Sequence, residues 1–100
     1  MGERIEIVKQ YSAGDAQDPV FLDVYNQEFR GVQLEPVVTG VGYVQSTLSS
    51  RPDVEGGAAS WVTWPAGSVS AVTQDTVNPS VTAIRVYRTS GDLKLTVRLA

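Results

Sequence analysis

The sequence has 100 residues, of which 42% are hydrophobic and 19% charged, enough for a single domain with its own core. It contains no cysteine and no histidine. Disulfides and thiolate metal sites are therefore excluded, and the usual general base near neutral pH is missing. The net charge of −3 argues against sequence-independent binding to nucleic acid.

Charge is unevenly distributed along the chain. Residues 1–50 contain seven acidic and three basic side chains, a net charge of −4. Residues 76–100 contain four basic side chains and one acidic one, a net charge of +3. An acidic front and a basic tail can attract each other within one molecule or between neighbouring copies.

The chain shows no sign of a membrane segment. It begins without an apolar stretch behind a basic start, and no apolar run approaches the roughly 18 residues of a membrane helix. We therefore expect a soluble protein that is made in the cytoplasm and has no membrane partner.

Short blocks of β-branched residues, bounded by Gly, Pro, Asn, Asp and Ser, predict an all-β protein. The expected fold is one small antiparallel β-sandwich or jelly-roll-like barrel over residues 1–100, with a C-terminal β-hairpin. In chain order, the predicted strands are 4–11, 20–25, 31–35, 37–48, 59–64, 68–74, 81–89 and 93–99. A short turn is expected near residues 23–28, and residues 49–57 form the longest predicted loop.

The last two predicted strands carry the clearest pattern. Apolar residues alternate with polar ones along the final strand, at Leu93, Leu95, Val97 and Leu99. A two-residue loop at Ser90–Gly91 would pair Val86 with Leu95 and Ile84 with Val97, so that both apolar sets face one core.

The same hairpin predicts a basic outer face with one aromatic ring. Its members are Arg85, Tyr87, Lys94, Thr96 and Arg98. This surface is either an ordinary solvated sheet face or a docking face for an acidic neighbour, such as the front half of another copy. The candidate interface residues here are Arg85, Tyr87, Lys94 and Arg98.

Two tryptophans flank a short predicted strand, at Trp61 and Trp64. Positions i and i+3 of a strand point to opposite faces, so the two rings cannot form one flat platform for a sugar. We expect one tryptophan in the core and the other at an edge or contact surface, where tryptophan is a common hot spot.

The remaining clusters predict no chemistry. Asp15, Asp18 and Asp23 lack the spacing of a calcium loop and fit turns, so we expect no metal site. Gly40 and Gly42 resemble a phosphate loop only superficially and indicate a bulge or a close backbone approach. We find no catalytic constellation, and we predict a protein that is not an enzyme and carries no cofactor.

Residues 64–99 (WPAGSVSAVTQDTVNPSVTAIRVYRTSGDLKLTVRL) resemble the ends of small β-sandwich structural proteins of tailed bacteriophages. The resemblance implies a virion component: a capsid decoration protein, or a head or tail accessory subunit. It also implies a homo-oligomer bound to other virion proteins, with the N-terminal segment 1–11 as an edge strand or a strand exchanged between copies.

Two other functions remain open from the sequence. The Trp and Tyr content is compatible with a carbohydrate-binding β-sandwich module, which would bind sugar through Trp61 or Trp64. An enzyme would need a deep pocket with two perturbed carboxylates, and the sequence gives no reason to expect one.

Overall fold

The computed structural model describes residues 4–12, 18–25 and 27–100, and confirms the antiparallel all-β class. In chain order, the elements are β1 (Ile5–Tyr11), β2 (Val20–Phe21), β3 (Arg30–Thr47), α1 (Arg51–Glu55), β4 (Val62–Thr63), β5 (Thr73–Thr76) and β6 (Ala83–Leu99). No helix in the described ranges is long and apolar enough to cross a membrane.

Two long strands, β3 and β6, form the centre of the fold. They pair antiparallel from Arg30 opposite Leu99 to Thr47 opposite Ala83. On one side of this pair, β1 and β2 hydrogen-bond to β6, and on the other side β4 and β5 hydrogen-bond to β3. Nearly every strand pairing in the described chain therefore depends on β3 or β6.

Both long strands bend in the middle. The register shifts at three points of β3 between Pro36 and Gly42, and Gly91 of β6 has a left-handed φ of 63° in the same region. Such bulges bend a strand and increase its twist. The bend divides the sheet into two halves. The β1 half consists of β1, β5 and the adjoining segments 30–36 and 93–99. The β2 half consists of β2, β4 and the segments 41–47 and 83–90.

The two halves share one hydrophobic core. In both halves, β3 and β6 direct apolar side chains into this core. The fully buried ones are Leu34, Leu93, Leu95, Val97 and Leu99 in the β1 half and Val44, Ile84 and Val86 in the β2 half. Burying each such side chain stabilises the fold by about 1.5–3 kcal/mol. Because both inner faces meet in this core, the outer faces of the two halves point away from each other.

The predicted C-terminal hairpin is wrong, because the chain does not turn back at Ser90–Gly91. Val86 lies opposite Val44 and Leu95 lies opposite Leu34, so residues 83–99 form one bent strand. The predicted inward faces are nevertheless confirmed, since Leu93, Leu95 and Val86 are all fully buried. Register shifts at the bend, one of which leaves Thr89 unpaired between Arg88 and Ser90, keep the apolar side chains inward on both sides of it. The alternation alone cannot distinguish such a bulge from a reversal of the chain.

Other predicted elements differ mainly in extent. The strand predicted at 4–11 is confirmed as β1, and those at 31–35 and 37–48 join to form β3. The strands predicted at 20–25 and 59–64 shorten to two residues each, and that at 68–74 begins later, at Thr73. The predicted loop 49–57 contains α1, whose first turn is capped by the Ser50 side chain.

β1 occupies an outer position in the sheet. Within the described residues it pairs with β6 alone and stands at one end of the strand order. An edge strand presents unpaired backbone groups to which another strand can add. Exchange of segment 1–11 between copies stays a prediction. The edge position of β1 is compatible with it.

Arg30 is a buried charged residue that ties a loop to the sheet. Its side chain is 4% exposed and donates hydrogen bonds to the carbonyl oxygens of Val81 at 2.8 Å and Leu22 at 3.1 Å. Burial lowers the pKa of this guanidinium from its ordinary value, with Asp23 opposing the shift. The group nevertheless stays charged, because arginine titrates far above neutral pH.

We predict that Arg30→Met destabilises the protein by about 2–4 kcal/mol, because the buried carbonyl groups of Val81 and Leu22 each lose the hydrogen bond from Arg30. Urea unfolding followed by circular dichroism measures the change. Arg51→Met is the matched control. The ion pair of Arg51 with Asp23 is partly exposed and screened by solvent, so this substitution should destabilise the protein far less. Equal effects of the two substitutions would contradict the role given to Arg30.

We predict that Gly40→Ala destabilises the protein by at least about 2 kcal/mol, because the added methyl group overfills the bend. A Cβ at Gly40 would lie 2.1 Å from the carbonyl oxygen of Asp92, and one at Gly42 would lie 2.5 Å from that of Tyr87. The close backbone approach expected at these glycines is thereby confirmed. Gly56→Ala, at an exposed site, is the control, and a Gly40→Ala protein as stable as this control would contradict the packing of the bend.

Candidate functional site

An aromatic surface covers the outer face of the β2 half. On β3, Tyr43 and Gln45 alternate with the buried Val44, and they lie opposite Tyr87 and Arg85 of β6. A strand sends alternate side chains to opposite faces, so the burial of Val44 and Val86 directs these neighbours outward. We call this surface the aromatic face; it comprises Tyr43, Gln45, Trp61, Arg85 and Tyr87.

The side chains of the aromatic face are held by one another. The rings of Tyr43 and Tyr87 stack with centroids 5.1 Å apart and an angle of 7° between their planes. The guanidinium of Arg85 lies 4.2 Å from the centre of the Trp61 ring, and its Nε donates a hydrogen bond to Gln45 Oε1 at 2.9 Å. These contacts fix the side chains before any partner binds, which reduces the entropy lost on binding.

The aromatic face carries one positive charge. Partial burial lowers the pKa of Arg85 from its ordinary value, whereas the hydroxyl groups of Tyr43 and Tyr87 raise it. The guanidinium remains protonated at any ordinary pH. A cation over an aromatic ring is a favourable pair, and the face thus combines apolar area with a fixed charge.

The structure separates the two tryptophans as predicted. Trp64 is 8% exposed, belongs to the core and donates its indole N–H to the carbonyl oxygen of Gly67 at 2.6 Å. Trp61 is partly exposed under Arg85. Of the two interface candidates, Trp61 therefore lies at the surface, and the placement of Trp64 at an interface is wrong because its ring fills the core.

The predicted basic patch is divided by the bend in β6. Arg85 and Tyr87 lie on the outer face of the β2 half, whereas Lys94, Thr96 and Arg98 lie on that of the β1 half. Because the two outer faces point away from each other, the five residues share no common surface. The prediction of one patch depended on the hairpin register and fails with it.

The charges of the β1 half are paired within the molecule. Lys94 Nζ lies 3.3 Å from a carboxylate oxygen of Glu35, and Arg98 donates to Glu6 at 2.5 Å. The acidic front of the chain and its basic tail thus meet inside one molecule, across neighbouring strands. Both pairs are half-exposed and contribute little to stability.

Helix α1 lies beside the end of the aromatic face. Arg51 holds Asp23 through two hydrogen bonds, at 2.8 and 3.0 Å, and its guanidinium is 3.9 Å from the centre of the Phe21 ring. The hydrogen bond to Arg51 holds the pKa of Asp23 below its usual range. Thr47 and Ala83, which continue the outward-facing rows of β3 and β6, are buried at this end.

The predicted aspartate turn shows no ligand geometry. Asp18 lies 3.8 Å from Lys9 Nζ, Asp23 is occupied by Arg51, and Asp15 lies outside the described residues. Among the residues that the structure describes, no group of three His, Cys, Asp or Glu side chains could hold a metal ion.

Sequence reasoning missed Tyr43 and Gln45 as partners of Tyr87 and Arg85. The outward orientation of Tyr43 can be read from its alternation with Val44, but its partner across the sheet lies 44 residues further along the chain. The predicted hairpin would place Tyr87 opposite Lys94. The stack of Tyr43 on Tyr87 therefore follows only from the pairing of β3 with β6.

Comparison with known proteins gives no family for this chain. No family model matches it, and no curated protein matches it.

The division of the two tryptophans predicts unequal effects on stability. Trp64→Ala should cost about 3–5 kcal/mol because it leaves a cavity in the core, whereas Trp61→Ala should cost less than about 1 kcal/mol. Urea unfolding of both variants measures the difference. A Trp61→Ala protein as unstable as the Trp64→Ala protein would contradict the placement of Trp61 at the surface.

Proposed function

We propose that this protein is a non-catalytic assembly subunit that binds neighbouring copies and partner proteins through its aromatic face. The observation that carries the proposal is the preformed cluster of Trp61, Arg85, Tyr43 and Tyr87 on one outer sheet face. Tryptophan, tyrosine and arginine are the residues most enriched among interface hot spots.

The proposed setting is the virion of a tailed bacteriophage, as a capsid decoration protein or a head or tail accessory subunit. The resemblance of residues 64–99 to such proteins supports this setting. The fold is compatible with it, since a small sandwich with an edge strand offers both a flat face and a strand edge to neighbours. The protein would act there as a closed homo-oligomer bound to other virion proteins.

The chemistry of the chain favours binding over catalysis. Without histidine or cysteine, an enzyme would depend on carboxylates, lysine, tyrosine or a strained backbone, and a carboxyl group that acts as general acid needs a raised pKa. The pKa of Asp23 is instead lowered, by Arg51. This carboxylate is engaged in an ion pair and is a poor proton donor at neutral pH.

Apolar contact is the main source of affinity in the proposed interface. The charged side chains of the β1 half are already paired with Glu6 and Glu35, so they contribute little to a second molecule. The aromatic face carries one charge, on Arg85, within a largely apolar surface. Salt screens contacts between exposed charges but leaves apolar contacts intact.

The aromatic face is less suited to sugar binding. The two tryptophans do not form a platform, because Trp64 is in the core. Tyr43 and Tyr87 stack on each other, and Arg85 lies over the Trp61 ring, so each of these rings has one face covered. The cluster instead combines the residue types of protein hot spots, which favours a protein neighbour that packs across it.

We predict that the protein forms a discrete oligomer. Its dissociation constant should rise at least about tenfold in Trp61→Ala, because the interface loses one hot-spot residue. Light scattering on a sizing column over a range of protein concentrations measures the mass. The oligomer should persist in about 1 M salt, because apolar contacts are not screened.

Phe29→Ala is the matched control, since Phe29 is a half-exposed aromatic residue on the opposite outer face. This variant should associate like the unchanged protein. A protein that is monomeric at every concentration, or an oligomer that Trp61→Ala leaves intact, would overturn the proposed interface.

A further inference from the structure

The outer face of the β1 half contains a shallow groove. Its volume is about 460 Å³, within the range of ligand sites in proteins. The lining residues come from β3, β5, β6 and the segment before β3; they are Phe29, Gly31, Val32, Gln33, Gln74, Asp75, Thr76, Thr96 and Arg98. Apart from the core residue Val32, its lining belongs to neither the aromatic face nor the core.

Gly31 leaves a gap in a row of side chains, and this gap forms part of the groove. Gly31 lies on the outward-facing row of β3, between Arg98 of β6 and Thr76 of β5. The Phe29 ring leans over the gap, with ring atoms 3.0 Å from where a Cβ of residue 31 would lie. Any larger residue at position 31 would push the ring and reduce the groove.

One wall of the groove is an exposed aromatic ring. Phe29 is 50% exposed, although its backbone is fixed by two hydrogen bonds with Ala100, at 3.0 and 3.1 Å. A half-exposed phenylalanine on a rigid backbone offers a ring for stacking at little entropic cost.

The rest of the outer lining supplies neutral hydrogen-bonding groups. Gln33 and Gln74 lie side by side across β3 and β5, joined by a hydrogen bond of 2.6 Å between their side-chain amides. The hydroxyl groups of Thr76 and Thr96 stand on the same outward-facing rows. Amides and hydroxyls both donate and accept, which suits a ligand that carries many hydroxyl groups.

The groove carries no excess of positive charge. Arg98 is the one cation among its lining residues, and Asp75 lies opposite the inward-facing Val32, so its side chain belongs to the inner face of the sheet. Arg98 is also held by Glu6, and the backbone N–H of Thr76 donates to the Asp75 carboxylate at 2.7 Å. An anionic ligand needs an excess of positive charge, which this groove does not provide, so its electrostatics favour a neutral polar ligand.

We propose that this groove binds a neutral carbohydrate chain, a function beyond the proposed role in assembly. One sugar ring stacks on Phe29, and its neighbours exchange hydrogen bonds with Gln33 and Gln74. The groove is open along the sheet, so the chain lies across the strands and is not enclosed. The aromatic face on the other side stays available for protein partners.

The test is a titration of isotope-labelled protein with three neutral sugars, maltohexaose, cellohexaose and hexa-N-acetylchitohexaose, each to about 10 mM, a range that detects millimolar binding. We expect at least one of these sugars to shift the backbone amide signals of residues 29–33, 74–76 and 96–98. The affinity should not change between low and high salt, because the ligand is neutral.

Three variants of the groove sharpen the test. Phe29→Ala removes the stacking ring, Gly31→Val fills the floor, and Gln74→Ala removes an exposed amide; each should weaken sugar binding at least about tenfold. The amide spectrum of each variant shows whether it is folded, and Phe29 and Gln74 are exposed enough for their truncations to be tolerated. Trp61→Ala, on the other face, should bind sugar normally.

The outcomes separate this proposal from the assembly role. Sugar binding that is lost in Phe29→Ala and kept in Trp61→Ala supports the groove whether or not the protein forms oligomers. The proposal is overturned by an absence of shifts with all three sugars, by shifts centred on the aromatic face, or by binding that Phe29→Ala leaves unchanged.

Discussion

The structure depends on the contact between the backbones of β3 and β6 at their shared bend. At Gly40 and Gly42 the strand comes so close to Asp92 and Tyr87 that a Cβ has no room, and Leu93 packs against the same two glycines. This contact lets one sheet turn back over itself and close around a single core. Without it, the two halves would form a flat sheet with an unburied apolar face.

The bend also gives the protein two outer faces with different chemistry. On the β2 half, aromatic rings and one guanidinium support each other in a preformed cluster. On the β1 half, the gap at Gly31 leaves a polar groove beside a single ring. Because the ion pairs of Lys94 and Arg98 are made within the molecule, each face is distinguished by its apolar and hydrogen-bonding groups more than by charge.

Much of the burial pattern can be predicted from the sequence, and little of the topology. Alternation assigns Leu95 and Val86 to the core, since side chains alternate along a strand in either topology. It cannot show that the chain continues through the bend as one strand, so it pairs Val86 with Leu95, whereas the structure pairs Val86 with Val44. The stack of Tyr43 on Tyr87 depends on that distant pairing. Helix α1, five residues long, is too short to show a helical period.

The account rests on β6 being one strand paired with β3, and cross-strand distances between backbone protons test this most directly. Nuclear Overhauser effects in labelled protein should connect Tyr43 and Gln45 with Tyr87 and Arg85, with no backbone contact between Val86 and Leu95. These contacts would establish the bent sheet and both outer faces. Backbone contacts between Val86 and Leu95 would instead show a hairpin at Ser90–Gly91 and contradict the aromatic face and the groove together.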